Sequence, residues 1–152
     1  MTSRRHFLLY SMLLLLLTGL IRMAWLAHFP VDPNEPVDSE GYHLLALNLL
    51  AGRGLSLRWD PPFCPTALRA PLYPLFLVGG YHLLGAEPER AVLLQILLEV
   101  LTTALVIRLG RQVGRLAAGR SWRSGMAMGG AAGLLYALNG TTQRYTGYLF
   151  SE

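Results

Sequence analysis

Apolar residues run almost unbroken from Phe7 to Ala27 (FLLYSMLLLLLTGLIRMAWLA), 21 residues in all. As a helix rising ~1.5 Å per residue the run measures about 31 Å, enough to cross ~30 Å of hydrocarbon. A secretory signal carries an apolar core of only about 7–15 residues and small residues at its cleavage site. Here Trp25 occupies that position and further apolar segments follow, so the pattern predicts a retained span. SRRHFL also resembles a twin-arginine export signal, the alternative for this end. Arg4 and Arg5 hold the N-terminus in the cytoplasm and send Ala27 outward. Arg22 lies about a turn and a half from the outer end, where it either snorkels to the headgroups or pairs with an acid in the bundle.

From Pro30 to Pro74 the pattern breaks, and five of the nine acidic residues fall there. Pro30, Pro33 and Pro36 rule out a continued helix. Asp38 or Ser39 is a helix N-cap, after which Tyr42, Leu45, Ala46, Leu49 and Leu50 recur at helical spacing. The spacing predicts a short amphipathic helix over 39–51, stopped by Gly52 to Gly54 and lying at the interface. Residues 55–69 read as irregular. The apolar stretch 71–84 has 14 residues, about 21 Å as a helix and too short to span unaided. If it did cross, Arg108, Arg111, Arg115, Arg120 and Arg123 would face outward. A second interfacial helix at the outer surface instead leaves all five in the cytoplasm, as the charge rule prefers.

The second span is expected over 90–108, with Gln95 and Glu99 on one face and Glu99 near mid-membrane. Glu99 is read as a hydrogen-bonded packing residue, with a cavity-lining or proton-handling role as the alternative. Residues 110–123 read as an Arg-rich cytoplasmic loop. The third span, 124–150, opens on Gly125, Gly129 and Gly133, a stripe for close helix packing, and turns polar from Asn139. The sequon Asn139-Gly140-Thr141 would lie at membrane depth, inaccessible to glycosylation. The fold class is therefore an all-α integral membrane protein with about three transmembrane helices. Residues 1–152 form one domain, and two interfacial helices sit in the outer loop 28–89.

Composition agrees with the pattern. Residues are 53% hydrophobic and 14% charged, against roughly a quarter charged in a soluble domain. The net charge of +4 comes from arginines at the ends of apolar runs, so topology explains it better than nucleic acid. The single cysteine, Cys64, excludes an internal disulfide and a cysteine-based metal centre.

This topology gathers Asp38, Glu40, His43, Arg69, Arg144 and Glu152 on the outer side. A carboxylate near basic groups can serve as general base while a planar guanidinium binds phosphate. Neither a Ser-His-Asp order nor an HExxH helix is present.

Four pieces carry a resemblance: DSEGYHLLALNLLAGRG, PTALRAPLYPLFL, LLQILLEVLTTALVIRLGRQV and a polar span ending YLFSE. Their order and spacing resemble the N-terminal part of the GT-C glycosyltransferases that use polyprenyl-phosphate sugars. These include protein O-mannosyltransferases, lipid A aminoarabinose transferases and rhizobial lipopolysaccharide sugar transferases. The resemblance implies that Asp38 is the catalytic base, that Arg69 contacts the donor phosphate and that Glu152 faces the same cavity. Glu40, Tyr42, His43 and Arg144 become candidate substrate contacts. The implied donor is a sugar on undecaprenyl or dolichyl phosphate, transferred on the outer face of the plasma membrane. Relatives that use a metal carry an acid immediately before the phosphate-binding base; Leu68 stands there, so neither metal nor cofactor is expected. Family members have many more spans, so these residues are expected to be part of a longer enzyme or inactive alone. The alternative function is a small non-catalytic membrane protein that packs on a partner through its glycine stripe. A transporter or channel piece built around Glu99 is a third reading.

Overall fold

The computed structural model describes residues 2–29, 39–119 and 121–142, with side chains from Arg5 onward and, in the second segment, from Gly41. Five helices follow in order: α1 Thr2–His28, α2 Ser39–Leu50, α3 Leu72–Leu84, α4 Pro88–Ala117 and α5 Trp122–Ala137. The described residues contain no strand. Two helices are long and apolar enough to cross a membrane. They are α1 over Arg5–His28, with mean hydropathy 2.0, and the 30-residue α4, with mean hydropathy 2.1. Among the described residues only 22% of each apolar window is buried.

Helices α2 and α3 have 12 and 13 residues, as the spacing predicts, and are too short to cross. The stop of α2 is set by Gly52 and Gly54, at φ 69° and 77°, a backbone region that costs glycine little. Helix α4 departs from expectation. It continues nine residues past Arg108, through most of the stretch read as a loop, and leaves only 118–121 as connector. Arginine, leucine and glutamine are good helix formers, and a rule about which side of a membrane arginines favour does not say whether they are helical. Helix α5 has 16 residues, about 24 Å, below the length of a span. The polar half of the expected third span lies outside the described residues from 143 onward.

The chain divides into two compact units, residues 1–25 with 96–143, and residues 26–95 with 144–152. In the first unit, Phe7, Leu14 and Ile107 form a buried core on which Leu15, Met126 and Leu134 pack. Helices α4 and α5 are in backbone contact. A Cβ on Gly129 would lie 2.7 Å from the Ile107 carbonyl oxygen, and one on Gly110 would lie 3.0 Å from the Met128 carbonyl oxygen. Within the stripe, Gly129 therefore meets Gly110 of this same chain, Gly125 meets Arg111 and Arg115, and Gly133 faces Ile107 and Leu14.

In the second unit α2 packs on α3 through Leu45, Ala46, Leu77 and Tyr81, all buried. Asn48, almost fully buried, ties the following loop back onto α2: its side-chain amide donates to the Ser56 carbonyl at 2.7 Å and the Arg58 carbonyl at 3.0 Å. A backbone bond from Thr66 to Leu55, 2.8 Å, closes the same loop. This fold-back returns the chain to the start of α2 just where Arg69 occurs.

Candidate functional site

Arg69 lies against the first turn of α2. Its guanidinium carbon is 5.2 Å from the centre of the Tyr42 ring, and a Cβ on Gly41 would stand 3.7 Å from its Nε. A guanidinium on an aromatic face is held by the ring quadrupole without giving up its charge. Tyr42 is itself fixed from the other direction by an edge-to-face contact with Tyr73, centroids 5.0 Å apart at 86°. The Tyr73 hydroxyl accepts from the Gln95 side-chain amide at 3.0 Å. From Arg69 to α4 the unit is thus linked by successive side-chain contacts.

One turn of the same helix presents His43, whose Nδ1 is 2.8 Å from the Tyr81 hydroxyl, with the rings 5.7 Å apart. Burial lowers the His43 pKa below its ordinary value of 6.5. Burial likewise raises the Tyr81 phenol, and it raises Tyr73, where the neighbouring phenols Tyr81 and Tyr42 add to the effect against the Gln95 hydrogen bond. Neutral phenol meets neutral imidazole. With Nδ1 engaged, Nε2 is the ring nitrogen left to act on a substrate.

Of the residues singled out by sequence, Arg69, Tyr42 and His43 are brought to one end of the α2–α3 pair. The backbone of Glu40 lies in the first turn of α2, its side chain outside the described residues. Asp38, Arg144 and Glu152 also lie outside them. Asn48, Tyr73, Tyr81 and Gln95 were not singled out as site residues. Tyr73 and Tyr81 stand eight apart in α3, a spacing that puts both on one helix face, and that signal could have found them. Among the described residues no three His, Cys, Asp or Glu side chains come together.

The first unit holds a separate polar group. Arg22, with no solvent exposure, forms an ion pair with Glu99 through Nε, and its Nη2 donates to the Thr142 hydroxyl. The Thr103 hydroxyl donates to the Glu99 carbonyl at 2.9 Å and lies 3.3 Å from the Thr18 hydroxyl. Arg22 therefore takes the second of its two readings, the buried pair instead of the snorkel. Gln95 and Glu99 share a helix face, yet Gln95 serves Tyr73 while Glu99 serves Arg22.

Comparison of the chain with family models, curated proteins and solved structures finds no match.

Proposed function

We propose that this chain is the donor-binding, N-terminal region of a membrane glycosyltransferase that takes a sugar from polyprenyl phosphate. The observation that carries the reading is Arg69 stacked over Tyr42 at the first turn of α2, four residues along the chain from Asp38. It adds to the four-piece resemblance to the GT-C enzymes. In this mechanism α1 and α4 cross the bilayer with the N-terminus in the cytoplasm, and the α2–α3 pair lies at the outer face of the plasma membrane.

Asp38 removes the proton from an acceptor hydroxyl as its oxygen attacks the anomeric carbon of the donor. The bond from that carbon to the phosphate oxygen breaks, and its electron pair leaves with undecaprenyl or dolichyl phosphate. Arg69 balances the charge that collects on the leaving phosphate, for which a planar guanidinium suits two oxygens at once. The resemblance assigns Glu152 and Arg144 to the same cavity, and neutral His43 with Tyr42 and Glu40 positions the acceptor.

The test uses the full reading frame in membranes, with radiolabelled undecaprenyl-phosphate sugars and dolichyl phosphate mannose as donors. Asp38→Asn abolishes transfer with expression retained. Arg69→Lys, which keeps the charge and loses the fork, raises KM for the donor more than it lowers kcat. Unchanged turnover in Asp38→Asn would remove the assignment. The rival reading, a packing partner that uses the glycine stripe, is weakened because α4 of this chain already fills that stripe.

A further inference from the structure

A cleft of about 470 Å³ opens between α1 and α4 in the first unit, at the N-terminal end of α1. Its buried lining is apolar, with Phe7 and Ile107 beside Leu15; Ser11 and Gln112 also line it, and its more exposed side carries Arg108, Arg111 and Arg115. Such a volume falls within the range of small-molecule sites, ~300–1,000 Å³.

The charge in this unit is one-sided. Residues 1–25 and 96–143 contain eight arginines and one acid, Glu99, which pairs with Arg22. Among the described residues no carboxylate pairs with Arg108, Arg111 or Arg115, and none of their guanidinium groups finds a hydrogen-bond acceptor. Arg111 is nonetheless held in place, 5.4 Å from the Phe7 ring centre and 4.4 Å from that of Trp122. Contacts through the ring faces fix the guanidinium plane and leave its edge donors to an anion. Arg115 approaches the same Trp122 ring at 5.9 Å. Topology alone asks only that arginines occupy this end. It does not ask that three of them line a cleft beside buried apolar side chains, one fixed between two rings.

We propose that this cleft binds an anionic phospholipid from the leaflet in which the N-terminal end of α1 sits, its phosphate among the three arginines and an acyl chain along Leu15 and Ile107. A lipid fits better than a soluble phosphate because buried apolar side chains, Phe7 and Ile107 with Leu15, line the cleft beside the arginines. The inference rests on the membrane placement of α1 and α4, and does not depend on the transferase assignment.

The full chain is reconstituted in nanodiscs of phosphatidylcholine with a minor share of phosphatidylglycerol, and the lipids it retains on extraction are read by native mass spectrometry. Each cation near an anionic headgroup contributes about fivefold in affinity, so Arg108→Gln/Arg111→Gln/Arg115→Gln lowers phosphatidylglycerol retention ~100-fold. The double variant Arg108→Gln/Arg115→Gln changes two exposed residues, spares the Arg111 stack and lowers retention about 25-fold with the fold intact by circular dichroism. Arg5→Gln removes an exposed cation at the same end that does not line the cleft, and leaves retention unchanged. Equal retention of phosphatidylcholine and phosphatidylglycerol by the wild type overturns the proposal, as does a loss in Arg5→Gln as large as that in Arg108→Gln/Arg115→Gln. Binding of inorganic phosphate without lipid retention overturns the lipid assignment in favour of a soluble anion. A chain that leaves the membrane at alkaline pH without detergent overturns the membrane placement, a result separable from loss of lipid by an integrated chain.

Discussion

Arg22 and Glu99, 77 residues apart in sequence, neutralise each other within one compact unit, the arginine fully buried and the glutamate largely so. Removing one member of a buried pair strands the other charge, at a cost of about 3–5 kcal/mol, whereas an apolar pair of similar volume is often neutral or stabilising. Glu99→Leu and Arg22→Leu each lower thermal stability in detergent by an amount in that range, and the double variant recovers most of it. Additive losses across this double-mutant cycle would contradict the pairing.

The glycines divide by what lies opposite them. Gly129→Ala sets a methyl 2.7 Å from the Ile107 carbonyl, so α4 and α5 must separate, at about 1–3 kcal/mol for overpacking. Gly79 of α3 has nothing within 4 Å of an added Cβ. Gly79→Ala therefore stabilises by up to about 1 kcal/mol through helix propensity. Thermal unfolding of both variants in one detergent reads the opposite signs directly.

Asn48 holds two loop carbonyls, those of Ser56 and Arg58, for which no other donor stands among the described residues. Asn48→Ala leaves them unpaired near a buried position and costs about 1–3 kcal/mol. Limited proteolysis should then cut within residues 51–71 at a protease concentration that spares the wild type. Under the transferase reading proposed above, the same variant raises KM for the donor, because that loop carries Arg69 back to Tyr42.

His43 gives a pH dependence with a definite sign. Its folded pKa is below 6.5, so the unfolded chain binds the proton first as pH falls. Stability is full above pH 6.5 and declines as pH drops from there toward the lowered folded value. His43→Gln flattens that part of the stability–pH curve. A wild-type curve that rises on acidification through the same window would contradict the burial of this ring.

Much of this architecture was legible from spacing alone. The prolines at 30–36, the apolar periodicity of 42–50 and the glycines at 52 and 54 set the start, face and end of α2 before any tertiary contact is known. Residue counts against bilayer thickness likewise separated α1 and α4 from α2 and α3. The partner of Glu99 was not legible, because an ion pair across 77 residues leaves no local periodicity. Arg69 was singled out by resemblance, but its seat on Tyr42 depends on Asn48 folding the loop back, and an asparagine inside an apolar helix face reads as an interruption. The glycines of α4 were hidden by the arginines around them, which drew the stretch toward a loop.

The span between Arg22 and Glu99 also sets an order of events during synthesis. A ribosome adding about 5–20 residues per second needs several seconds to reach Glu99 after Arg22 has been made. Over that interval α1 carries a cation whose carboxylate does not yet exist. At the centre of a span such a charge costs about 2.5–3.5 kcal/mol on insertion scales, and about a turn and a half from the end it costs less. If α1 and α4 cross the bilayer as proposed, the nascent first helix gains from waiting at the lateral gate of the insertion machinery until α4 arrives, so that the two helices enter lipid as a charge-neutral couple.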